Sequence, residues 1–116
     1  MTEANNYAIS LKVLSRFEEA KSLMRKMIPV ARRVLGEGDM LTLKMRWVYA
    51  QTLYKDPSAT LDDLREAVET LADAERTARR VLGSAHSCTA GIEKALRGAR
   101  AALRARARET PPGSSS

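Results

Sequence analysis

One stretch of this chain occurs twice, and that constrains the fold more than anything else in it. Ala31-Arg32-Arg33-Val34-Leu35-Gly36 returns as Ala78-Arg79-Arg80-Val81-Leu82-Gly83, a shift of 47 residues in a chain of 116. At the same shift Phe17-Glu18-Glu19-Ala20 falls on Leu64-Arg65-Glu66-Ala67. Further back the shift drops to 42, with Tyr7-Ala8 on Tyr49-Ala50 and Leu11 on Leu53. The difference places an insertion between the halves of the second unit, at Lys55-Asp56-Pro57-Ser58-Ala59-Thr60. After Gly83 the unit starts a third time, Thr42 falling on Thr89, and then stops after one helix. A period of 20 to 50 residues points to supersecondary units that bury their apolar faces only by stacking.

The apolar spacing throughout is helical rather than alternating, which predicts five helices and no strand. The first runs from about Glu3 to Leu14, with Tyr7, Leu11 and Leu14 as its stripe and Ala8 beside it. Ser15 and Glu18 have capping-box spacing and predict the start of a second helix. Its apolar face, from Phe17 and Ala20 through Met24 and Ala31 to Leu35, is interrupted by Pro29, where a bend rather than a break is expected. Gly36 and Gly38 end it. Asp39 is the expected cap of a third helix, Met40 to Tyr54, apolar along two edges and so packed on both sides. Thr60 with Asp63 forms a second capping box. The fourth helix then runs to Leu82, ends at Gly83, and carries Asp62, Asp63 and Glu66 near its positive end. The fifth spans about Cys88 to Arg108. Residues 1–109 are thus read as one helical repeat domain, with helix pairs over about 3–35 and 40–82 and a capping helix over 88–108. Residues 110–116 are read as a flexible tail.

Length supports one domain with a real core. The single cysteine excludes an internal disulfide framework and suits a reducing compartment. No apolar run approaches the roughly 18 residues needed to span a membrane, and the N-terminus lacks a signal-peptide pattern, so a cytoplasmic protein without membrane partners is expected. No catalytic, cofactor-binding or metal-binding constellation is present. His86 and Cys88, two residues apart, face different sides of a helix start and form neither a nucleophile pair nor a zinc site. The expectation is a non-enzyme without cofactors.

The arrangement Asn5-Asn6-Tyr7-Ala8, Leu11, Arg16-Phe17-Glu18-Glu19-Ala20 and Ala31-Arg32-Arg33-Val34-Leu35-Gly36 resembles the tetratricopeptide repeat (TPR) of the kinesin-light-chain-like type. In that type a unit of roughly 42 residues ends in Val-Leu-Gly, followed by His-Pro and Thr. Gly83-Ser84-Ala85-His86-Ser87-Cys88-Thr89 keeps the His and Thr but has Ser87 for the proline. Gly36-Glu37-Gly38-Asp39-Met40-Leu41-Thr42 keeps only the Thr. The resemblance covers about residues 4–92. It implies an all-α fold of stacked antiparallel helix pairs in a superhelix, whose concave groove binds proteins or peptides as a scaffold or adaptor. The groove would be lined by the odd-numbered helices: Asn5, Asn6 and Lys12; Lys44, Arg46, Trp47 and Gln51; and Lys94.

The net charge is +6, from 20 basic and 14 acidic residues. Lys94, Arg97, Arg100, Arg104 and Arg108 fall within about 120 degrees on the last helix, by its 100-degree step. The alternative reading is a basic module binding nucleic acid or an acidic partner through that face. Without interleaved aromatics or a nucleic-acid motif it ranks second. Arg97 stands where Ala50 stands one unit earlier, which suits a polar cap on the last helix of an array.

Overall fold

The computed structural model describes residues 1–109. Five helices follow in order: α1 (Thr2–Val13), α2 (Phe17–Val34), α3 (Met40–Tyr54), α4 (Leu61–Leu82) and α5 (Ser87–Glu109). No strand occurs among the described residues. The expected tail, residues 110–116, lies outside them.

Local chemistry explains most of the boundaries. Asp39 accepts from the Leu41 amide at 2.9 Å and caps α3. Thr60 and Asp63 form the reciprocal capping box at the start of α4, each bond 3.1 Å. His86 opens α5, its Nδ1 accepting from the Cys88 amide at 3.0 Å. Both copies of the repeated hexapeptide close on a glycine of positive φ, +95° at Gly36 and +90° at Gly83, although α4 runs one repeat position further, to Leu82, than α2, which stops at Val34. Pro29 sits inside α2 on its exposed side, and the helix continues through it.

The expected Ser15–Glu18 cap is not there. Ser15 takes φ +61°. Its amide donates to the Lys12 carbonyl, and the Arg16 amide donates to Leu11. That bond pair is a Schellman motif, so Ser15 closes α1 instead of opening α2. Arg16 becomes the residue before α2 and pairs with Glu19 at 2.5 Å, while Glu18 pairs with Lys21.

Each helix packs on the next, and α3 also packs on α1 and α5. The backbones of α2 and α4 stand apart, with α3 between them. The core therefore centres on α3, where Thr42, Leu43, Met45, Val48, Ala50 and Leu53 are all buried. Equivalent small residues sit at the tightest places of both units: Ala20 and Ala67, and Ala31 and Ala78, are all fully buried. A further close approach joins α3 to α5, where the Trp47 ring lies against Gly91 and Tyr54 against Gly98.

The α1 stripe differs from expectation. Ala8 and Leu11 are buried, but their partner is Asn5; Tyr7 is 55% exposed and Leu14 64%. Tyr7 corresponds by the repeat to Tyr49, which is buried because α2 lies beside it and its hydroxyl reaches α2 and α4. No helix among the described residues covers α1 on that side.

Candidate functional site: the cleft between α1 and α3

An open cleft of about 190 Å³ runs between α1 and α3. Its α1 wall is Asn5, Ile9 and Lys12, one turn apart on one face. Its α3 wall is Lys44, Trp47, Val48 and Gln51, again at helical spacing. Lys12 Nζ ties the walls together, donating to Gln51 Oε1 at 2.5 Å.

The floor is apolar, from Ile9, Trp47 and Val48, and the rim is cationic. Burial, with the Lys55 charge adding to it, pulls the Lys12 ammonium below its ordinary pKa. Burial pushes the Cys88 thiol above its ordinary pKa, and the Lys44 charge offsets only part of that shift. Two of the lining residues each bury one polar atom that has no hydrogen-bond partner: Asn5 Oδ1, an acceptor, and Trp47 Nε1, a donor. A buried polar atom left unpaired costs about 1–3 kcal/mol, and a ligand recovers part of that cost only where the side chain turns to bring the atom to the cleft surface.

Asn5, Lys12, Lys44, Trp47 and Gln51, placed in a groove by the sequence reading, all line this cleft. Three others do not. Asn6 is exposed elsewhere on α1, its carbonyl accepting from Ser10. Lys94 is exposed on α5 and takes no part in the cleft wall. Arg46 is the clear correction. Its side chain is only 3% exposed and turns toward α4, where Nη2 meets Asp73 at 2.6 Å, with Glu37 3.6 Å from Nη1. A guanidinium on the face of α3 that α4 covers must be paired, and these carboxylates pair it. Ile9 and Val48 were missed as lining residues. Ile9 had a signal, since it lies one turn from both Asn5 and Lys12.

A second furrow of about 210 Å³ lies on the far side of α3, between α2 and α4. Internal contacts fill its chemistry. Tyr49 Oη donates to Glu66 and accepts from Arg25 Nε at 3.0 Å, and Arg25 reaches Glu66 at 3.6 Å. Burial, reinforced by the Glu66 hydrogen bond, pushes the Tyr49 hydroxyl up to about 12. On α5, Arg97, Arg100, Arg104 and Arg108 are all exposed. No three His, Cys, Asp or Glu side chains group as metal ligands among the described residues, and no helix there is long and apolar enough to cross a membrane. Comparison with known protein families, with curated proteins and with solved structures finds no significant match to this chain.

Proposed function

We propose that this chain is a tetratricopeptide-like helical repeat module, a binding protein rather than an enzyme, acting as a cytoplasmic scaffold or adaptor. It takes an extended peptide segment of a partner protein in the α1–α3 cleft. The observation that carries the reading is one apolar cleft with a cationic rim, two of whose lining residues, Asn5 and Trp47, each hold a polar atom without a partner, an acceptor and a donor. A peptide backbone offers one donor and one acceptor per residue, the complement of that pair. The lysines at the rim favour a peptide with an acidic residue flanking an apolar one. The volume accommodates one or two side chains and falls below the usual range for a whole small-molecule ligand. The helix order supports the repeat arrangement: odd-numbered helices touch in sequence along one side, and the even-numbered ones stand behind them.

Selection of peptides from a displayed random library tests this. Selected sequences are expected to share an apolar residue next to an acidic one. Binding should quench or shift the emission of Trp47, the only tryptophan. Selected peptides that bind Asn5→Ala and Lys12→Ala variants as tightly as the parent would refute the cleft as the site.

A further inference from the structure

The internal repeat allows α5 to be laid on α3 by the same 47-residue shift that relates the two hexapeptides. On α3, one face is formed by Leu43, Arg46, Ala50 and Leu53, all buried, and Arg46 in that face pairs with Asp73 of α4. The corresponding positions of α5 are Ala90, Glu93, Arg97 and Arg100. Ala90, Arg97 and Arg100 are exposed, and Arg104 and Arg108 continue the same face by one and two further turns. Where α4 covers α3, the corresponding face of α5 is exposed at Ala90, Arg97 and Arg100, and α4 reaches it through Arg79, paired with Glu93 at 2.5 Å. Arg97, Arg100, Arg104 and Arg108 also have no ion pair or hydrogen bond among the described residues, whereas Arg79 of α4 is held by Glu75 and Glu93.

We propose that this open face of α5 is a docking surface for an acidic α-helix of a partner protein, seated along α5 as α4 is seated along α3. The site is separate from the α1–α3 cleft and does not depend on it. The shape argument comes from the repeat, since the equivalent face of α3 is occupied by a helix. The charge argument comes from the four arginines, which span about 16 Å, three turns of a helix. Side chains three and four residues apart on a facing helix meet such a ladder in register. An interior precedent exists in the same fold, where Arg46 and Asp73 join α3 to α4 at 2.6 Å. Ala90, at the N-terminal end of the face, keeps that end low enough for close approach.

The composition of α5 favours a protein over a nucleic acid. α5 carries no aromatic residue on which a base could stack. A second copy offering the same face would set arginine against arginine.

The test uses the full chain, isotope-labelled, and three probes. The first is a synthetic helix-forming peptide with four glutamates three or four residues apart along one face. The second is an isomer of the same composition with the glutamates dispersed around the helix. The third is a short DNA duplex. The first peptide is expected to shift amide resonances of residues 90–108 while leaving Trp47 emission unchanged, and to bind at least about tenfold more tightly than its isomer. The variant with Arg97, Arg100, Arg104 and Arg108 changed to glutamine should lose about tenfold or more in affinity with an unaltered melting curve, because these side chains are exposed. Equal binding of the two isomers would overturn the proposal. So would tighter binding of the duplex, or shifts confined to α1 and α3. The resonance mapping on the parent chain decides the matter even if the glutamine variant does not fold.

Discussion

Replacing Asp73 with asparagine removes the charge that neutralises a buried guanidinium, together with an exposed pair to Arg76 at 3.2 Å that contributes little. The Arg46 side chain is 3% exposed and the Asp73 side chain 51%. Breaking a fully buried pair by removing one partner costs about 3–5 kcal/mol. Three features lower that figure here. Water already reaches half of Asp73; Glu37 remains 3.6 Å from the guanidinium; and asparagine keeps a neutral acceptor, worth about half a charge-assisted one. Asparagine and aspartate have nearly equal helix propensity, so the backbone contribution cancels. The expected loss is about 1.5 kcal/mol, or roughly 6 °C in a domain of this size. The pH dependence follows from the same contact. The hydrogen bond from Arg46 holds the Asp73 carboxyl below its ordinary value of 3.8. A depressed folded-state pKa contributes stability that is complete above the unfolded value and disappears as pH falls through the folded one. Urea unfolding of parent and variant should therefore show the full gap at neutral pH and a closing gap below 3.8. An Arg46→Met variant, which removes the charge instead of stranding it, should lose much less. A gap under about 0.5 kcal/mol at neutral pH, the size of an ordinary surface change, would refute the reasoning. A gap that persists unchanged in acid would do the same.

Two further substitutions test close contacts. A Cβ at Gly91 would stand 2.2 Å from Trp47 Cη2 and 2.7 Å from Cζ2, so Gly91→Ala must displace the indole ring. Overpacking should cost about 2 kcal/mol and outweigh the roughly 1 kcal/mol that alanine returns in helix propensity. Calorimetry should show a lower melting temperature together with shifted tryptophan emission, and a higher melting temperature would count against the α3–α5 approach. Ser15 holds φ +61° without being glycine, so Ser15→Gly should raise stability by about 1 kcal/mol, read as a higher urea midpoint; an unchanged midpoint would argue against the left-handed turn.

The features legible in the sequence are those decided within a few residues. Asp39, the Thr60–Asp63 box and the paired Gly36 and Gly83 need only local hydrogen bonds and backbone freedom, and all appear where the spacing placed them. Most of the cleft was legible for a related reason, since Lys44, Trp47 and Gln51 lie one turn apart and must share a face. The misreadings turn on longer reach. Ser15–Glu18 and Arg16–Glu19 offer the same spacing, and only the chain reversal after α1 selects the second. Tyr7 has the pattern of a core aromatic, like Tyr49, but burial of such a ring depends on a helix beside it. Arg46 looked like surface because its partner, Asp73, is 27 residues away. Asn5 shows the converse case, a polar residue buried at the site itself with its oxygen unpaired.

The central claim is that a peptide occupies the α1–α3 cleft and pairs with Asn5 and Trp47. Titration of the isotope-labelled chain with a library-selected peptide tests it most directly, through the Asn5 side-chain amide and the Trp47 indole N–H resonances. Saturable shifts of both, accompanied by Ile9 and Val48 and absent from α4, are the predicted result. Tight binding that leaves the indole N–H and the Asn5 amide where they were would contradict the claim.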